Sequence, residues 1–216
     1  AMKGLLLKDW YQVRTSMKAM CLTVSFVLVI WVFSTSSAYV FPVSYAAVFL
    51  GILPVNLLAY DHASGWTEYS FALPLSKELQ VAEKYLVGLL CTAVSAALNG
   101  IFCGILFWMG KPLPAMPIGL LLGAGAASIL LINGIMLPLY YRFGAEKARM
   151  LYMLMFAGMG AALGGGAVMD ELQQNGTGSG PLPVPLWLAA VLLLAVLALY
   201  AVSWRVSVAW YGKYKK

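Results

Sequence analysis

His62 is the only histidine in the chain, and Asp61 lies beside it. One imidazole and one carboxylate make neither a metal site nor a catalytic triad. Cys21, Cys91 and Cys103 lie in or at the edge of apolar runs. Their odd number and irregular spacing fit buried thiols better than a disulfide framework or a zinc site. Gly104 and Gly110-Lys111 have a superficial likeness to a phosphate-binding loop. Five residues separate the glycines where four are needed, and Pro112 stands where a serine or threonine would hold magnesium. The residues therefore offer no catalytic constellation, and any ATP-driven step requires another polypeptide. The chemistry left to this chain is that of its charged and aromatic side chains between apolar runs.

Those runs dominate the composition. Of 216 residues, 62% are hydrophobic and 10% charged, against roughly 25% charged in soluble domains. This excludes an ordinary soluble domain and a disordered chain. Ala1 ahead of Met2 reads as an expression remnant, with Met2 the native start. The first apolar run begins too late and runs too long for a simple signal peptide. A span needs about 20 mainly apolar residues. Six segments qualify: 19–39, 42–60, 85–109, 115–139, 149–168 and 184–206. They are apolar throughout, without barrel-strand alternation, so they predict helices. The expected fold is an all-α polytopic membrane protein, a single transmembrane domain over 1–216.

Charge sets the orientation. With the N-terminus inside, every lysine and arginine except Lys111 falls on the inner side. That is a strong positive-inside pattern, with both termini cytosolic. The formal charge of +6 then reports topology and attraction to anionic headgroups, and carries no nucleic-acid signal. Residues 3–18 predict an amphipathic interfacial helix, with Leu6, Trp10, Val13 and Met17 on one face. The alternative is a cytosolic extension of the first span. The longest inner segment, 61–84, predicts a short helix near 64–72, a break before Pro74 and a helix starting at Ser76. Its aromatic and acidic residues suit either a docking surface or a polar connector. The inner loop 140–149 carries Arg142, Lys147 and Arg149, which suit anchoring. The glycine-rich outer segment 169–183 predicts a mobile loop.

Away from their ends, where Arg149 and Arg205 stand, the six spans carry no Asp, Glu, Lys, Arg or His, which argues against a self-contained proton pump. The span residues Asn56, Asn99, Asn133, Ser25, Ser95 and Ser128 suit interhelical hydrogen bonds. Gly100 with Gly104, and the glycines at 158, 160, 164, 165 and 166, permit close helix approach. Pro54 and Pro138 can bend their spans.

Four patches resemble the six-span permease subunits of type-2 ABC exporters, in particular the membrane subunits of phenol-soluble modulin and antimicrobial-peptide exporters. They are the opening Met2–Tyr11 stretch; Tyr60-Asp61, Ser64-Gly65-Trp66, Leu73-Pro74-Leu75-Ser76 and Lys84-Tyr85; the run from Pro138 to Arg149; and Ser203 with Ser207 before the basic tail. The resemblance implies a non-catalytic permease in a bacterial plasma membrane. It implies pairing with a second copy or a relative, two cytosolic ABC ATPase subunits that hold ATP and magnesium, and amphipathic or hydrophobic peptides as cargo. This chain would bind no cofactor itself. The first inner loop would supply a coupling helix. Asp61, Ser64, Trp66, Glu68, Phe71 and Pro74 are its candidate residues, Trp66 and Phe71 as anchors, Asp61 and Glu68 for basic partners. A peptide-binding immunity or sensor protein of the same fold, and a channel or scaffold without an ATPase, are the alternatives.

Overall fold

A backbone in lipid must satisfy its own hydrogen bonds, so the apolar runs become helices. A computed structural model of the protein describes residues 2–16, 18–33, 40–70, 72–73, 76–110, 118–174 and 186–211, with backbone alone at 16, 19–21, 31, 40–44, 145, 146, 148, 149, 151, 152, 155–174, 186 and 189. The elements are α1 (Met2–Ser16), α2 (Lys18–Phe33), α3 (Val40–Ala63), α4 (Trp66–Ser70), α5 (Lys77–Trp108), α6 (Ile118–Gln174) and α7 (Leu186–Tyr211). There is no strand among the described residues. Among the described residues, four segments are long and apolar enough to cross a membrane: Tyr45–Ala63, Lys77–Trp108, Ile118–Gly144 and Ala190–Tyr211. The expected span at 19–39 falls partly outside the described residues, that at 149–168 is described mainly as α6 backbone, and the described set supports four spans.

The breaks have local causes. At the end of α3, Gly65 takes φ 72, and its N–H donates to the carbonyl of His62 at 3.3 Å. A left-handed glycine just past a helix caps its free carbonyls. The Ser64 hydroxyl donates to the Asp61 carbonyl at 3.2 Å, so Ser64 helps to close α3. Ser76 caps α5 by accepting from the Leu79 N–H at 3.4 Å, as its sequence position predicts.

The segment 140–149 departs from expectation. It is helical on both sides of a single break at Gly144 (φ 79, ψ 177). Tyr140 and Tyr141 are buried in α6 and not part of a loop. Only glycine adopts this backbone conformation without strain of about 1–3 kcal/mol. Gly144→Ala should lower stability by roughly that amount, read as a lower unfolding temperature in detergent. An unchanged transition would show that the break does not depend on glycine. The helical backbone then runs to Gln174, into the stretch expected to be loop.

α6 packs most extensively on α7 and α3, and α5 sits against all three. One core joins Leu58, Val81, Tyr85, Leu130, Leu137, Tyr140, Tyr141, Tyr200 and Tyr211. A second, toward the opposite end, joins Val24, Leu28, Ala46, Phe102, Leu106 and Leu121. Lipid is as apolar as leucine, so such a bundle relies on close packing and interhelical hydrogen bonds. The Tyr85 hydroxyl exchanges hydrogen bonds with Ser203 and Ser207, each at 2.7 Å. Tyr200 donates to the Tyr85 carbonyl at 2.8 Å, and Ser203 to the Gly134 carbonyl at 2.5 Å. These bonds tie α5, α6 and α7 together.

Candidate functional site

Two of the charged groups in the first inner segment, Asp61 and Lys84, meet at one end of the bundle. Asp61 continues the buried α3 stripe of Leu53, Leu57 and Leu58, while Lys84 sits beside Val81 and Tyr85 on the buried face of α5. Asp9 follows Leu5 by four residues on α1, and both are buried. Each charge thus extends an apolar face inward. Lys84, only 2% exposed, donates to both oxygens of Asp9 at 2.8 Å and lies 2.7 Å from Asp61 Oδ2. Lys8 donates to both oxygens of Asp61 at 2.8 Å and stands 3.2 Å from Asp9. Glu83 Oε1 lies 3.7 Å from Lys84 and 3.9 Å from Lys8, and accepts no hydrogen bond.

Three carboxylates and two ammonium groups therefore share a centre screened from solvent. Fully ionised, they carry one net negative charge, and each paired ion is held by contacts from another helix. Attraction between buried charges is strong because little water screens it, but it offsets a large desolvation cost. The arrangement works as a lock: α1, α3 and α5 must stay in register for any of its charges to remain paired.

α4 attaches to this lock. The Lys8 ammonium sits 4.7 Å from the centre of the Trp66 ring, a cation–π contact. Trp66 in turn tilts against Tyr69 at 5.6 Å between ring centres. At the other end of α4, the Gln80 amide donates to the Ser70 carbonyl at 3.3 Å, and Tyr211 donates to Gln80 Oε1 at 2.5 Å. α4 is thereby joined to α1 at one end and to α5 and α7 at the other. Beside it lies a cavity of about 340 Å³, lined in part by Trp66, Glu68, Glu83, Tyr140, Tyr141 and Gly144.

The predicted residues divide accordingly. Trp66 is half-buried, and Ser64 and Glu68 are exposed on or beside α4. The Asp61 carboxylate faces inward and is committed to Lys8 and Lys84. Phe71, Pro74 and Met17 lie outside the described residues, as does the side chain of Arg149. On α1, Leu6 and Val13 pack against the core of Leu50, Leu53, Leu57, Val87 and Cys91, whereas Trp10 is exposed beside Leu7 and Tyr11. The buried face is centred on Leu5, Asp9 and Val13, rotated from the expected stripe because Asp9 turns toward Lys84. Arg142 and Lys147 are exposed, and Arg142 lies over the Trp210 ring at 4.8 Å. Sequence reading singled out neither Asp9, Glu83 nor Lys8. The available signal was a four-residue spacing from buried apolar positions for two of them, Asp9 after Leu5 and Glu83 before Val87; Lys8 has no such neighbour.

Apolar helices with their ionic centre at one end, joined to a short helix outside the spans, define an all-helical membrane protein. The chain belongs to the ABC-2 family transporter proteins, whose family match runs over residues 4–212. Membership makes it a membrane component of an ABC transporter and implies ABC ATPase partners. No curated protein and no solved structure matches the chain.

Proposed function

We propose that this chain is the permease subunit of an ATP-driven exporter of amphipathic or hydrophobic peptides in a bacterial plasma membrane. Two cytosolic ATPase subunits, holding ATP and magnesium, would act on a pair of permeases, this chain with a second copy or a relative. Six spans with both termini cytosolic complete the proposed topology. The observation that carries the reading is the joining of α4 to the buried ionic lock. Trp66 touches Lys8, and Lys8 touches Asp61, which is shared with Lys84 of α5.

A displacement of α4 by ATPase closure would be felt at once by α1, α3 and α5. Weak contacts would let α4 slide without moving the spans. Paired buried charges resist that slippage, because separating them leaves ions uncompensated. Exposed Glu68 and Tyr69, with the outer edge of Trp66, form the surface offered to the ATPase. Asp61 acts one step behind it, by holding the end of α3 to α1 and α5.

Co-purification from the native membrane should recover two ATP-binding chains, with hydrolysis raised by amphipathic peptides. Recovery of the permease without any ATPase would overturn the reading. In the assembled complex, Trp66→Ala should lower peptide-stimulated hydrolysis by about tenfold, the scale of an aromatic hot spot. Loss of the Lys8 contact alone costs only about 0.5–1 kcal/mol, so insertion should persist. Full stimulation in this variant would remove Trp66 from the coupling path.

A further inference from the structure

A groove of about 420 Å³ runs along the outside of the bundle between α6 and α7. Its walls include Leu131, Ile135, Pro138, Leu199, Val202 and Trp210. The groove exists because Gly134 contributes no side chain, while Tyr200 and Ser203 turn inward to the hydrogen bonds with Tyr85 and Gly134. Leu131, Ile135, Leu199 and Val202 are exposed, so this side of the bundle faces lipid. At about 1.5 Å per residue, the α7 wall from Val196 to Trp210 rises about 21 Å. One leaflet of the hydrocarbon core is roughly 15 Å deep. The groove thus runs from headgroup level to near the midplane, the path of one acyl chain.

Its Trp210 end is chemically different. Trp210 lines it, and the Arg142 guanidinium lies 4.8 Å from the Trp210 ring centre and 5.1 Å from that of Phe143. A guanidinium held over an aromatic ring can still offer edge N–H groups to a phosphate, which it can bind through two parallel hydrogen bonds. Arg142 has no carboxylate within ion-pair distance among the described residues. Neutral tails would be held equally by any apolar surface; a fixed cation at the groove mouth selects a negative headgroup.

We infer that the α6–α7 groove is a binding site for an anionic phospholipid, one acyl chain lying between the helices and the headgroup phosphate on Arg142. The site needs only that the chain spans a membrane, and holds whether or not the transporter moves peptides. It places a lipid against Ser203 and Tyr200, which bond α7 to α6 and α5, so an occupied groove would stiffen that seam.

The test is native mass spectrometry of the full chain released from micelles doped with phosphatidylglycerol or phosphatidylcholine. The wild type should retain phosphatidylglycerol about tenfold better, the scale of one charge-assisted hydrogen bond. Arg142→Gln should erase that preference while still retaining either lipid. Val202→Trp, at an exposed position that fills the groove, should lower retention of both. A preference that survives Arg142→Gln overturns the proposal. So does retention unaffected by Val202→Trp, since the chain would then lie elsewhere. Inorganic phosphate that abolishes lipid retention at millimolar concentration would show an anion site without an acyl groove, and would also overturn it.

Discussion

Lys84→Met is expected to destabilise the protein by about 3–5 kcal/mol, the cost of removing one partner from a buried ion group. Methionine preserves much of the lysine stem, so the loss is mainly electrostatic. Asp9 would lose its 2.8 Å partner and keep only Lys8 at 3.2 Å, while Asp61 and Glu83 would share that same ammonium. Three buried carboxylates would then face a single cation. The unfolding temperature in detergent should fall by roughly 6 °C or more, and α1 should become accessible to protease before the rest of the bundle. Adding Asp9→Asn restores the original net charge, so the double variant should be more stable than Lys84→Met alone. A Lys84→Met protein that melts with the wild type would mean the cluster is solvated and holds nothing. The alternative outcome, a double variant with simply additive losses, would mean the two residues do not act as a pair.

That lock also marks what sequence could and could not disclose. The apolar runs read directly as helices because a membrane permits few other solutions. The start of α5 at Ser76 and the short helix near Trp66 were legible from capping and loop chemistry. Charge counted by segment reports which side of the membrane a residue occupies, but it says nothing about which way it points. Asp61 was read as a group offered to a basic partner; two lysines of the same chain, from α1 and α5, already hold it. Those partners lie 53 and 23 positions away in sequence, and no spacing rule reaches across helices whose packing is unknown. Asp9 was hidden for a related reason. The Leu6–Trp10–Val13 stripe is a genuine amphipathic pattern, and only the demand of Lys84 for a carboxylate turns the helix onto Leu5 and Asp9. At 140–149 the basic residues suggested a connector, while Tyr140 and Tyr141 were already part of the apolar α6 face. One glycine conformation separates the two helical stretches there, a far smaller device than a ten-residue loop.

The same point holds at α5, where composition marks Gly88 as an unremarkable span glycine. A Cβ at that position would collide with the Tyr200 hydroxyl, which is fixed by its hydrogen bond to the Tyr85 carbonyl. Two effects compete in Gly88→Ala. Alanine favours a helix by about 0.8–1 kcal/mol over glycine, whereas overpacking a tight contact costs about 1–3 kcal/mol. Moving the hydroxyl aside also forfeits its interhelical bond, worth about 0.6 kcal/mol on average and up to about 1.7. The steric and bonding losses win, and the variant should lose roughly 2 kcal/mol. Tyr200→Phe alone should lose only the hydrogen bond. The combined variant is the decisive one: the remaining ring carbon would stand 3.6 Å from the new Cβ, an ordinary contact. With the clash gone and the helix preference retained, Gly88→Ala in the Tyr200→Phe background should be neutral or mildly stabilising. Thermal unfolding of the four proteins in one detergent closes the cycle. Equal losses from Gly88→Ala in both backgrounds would show that the hydroxyl is not what demands glycine, and that the α5–α7 seam is looser than its hydrogen bonds imply.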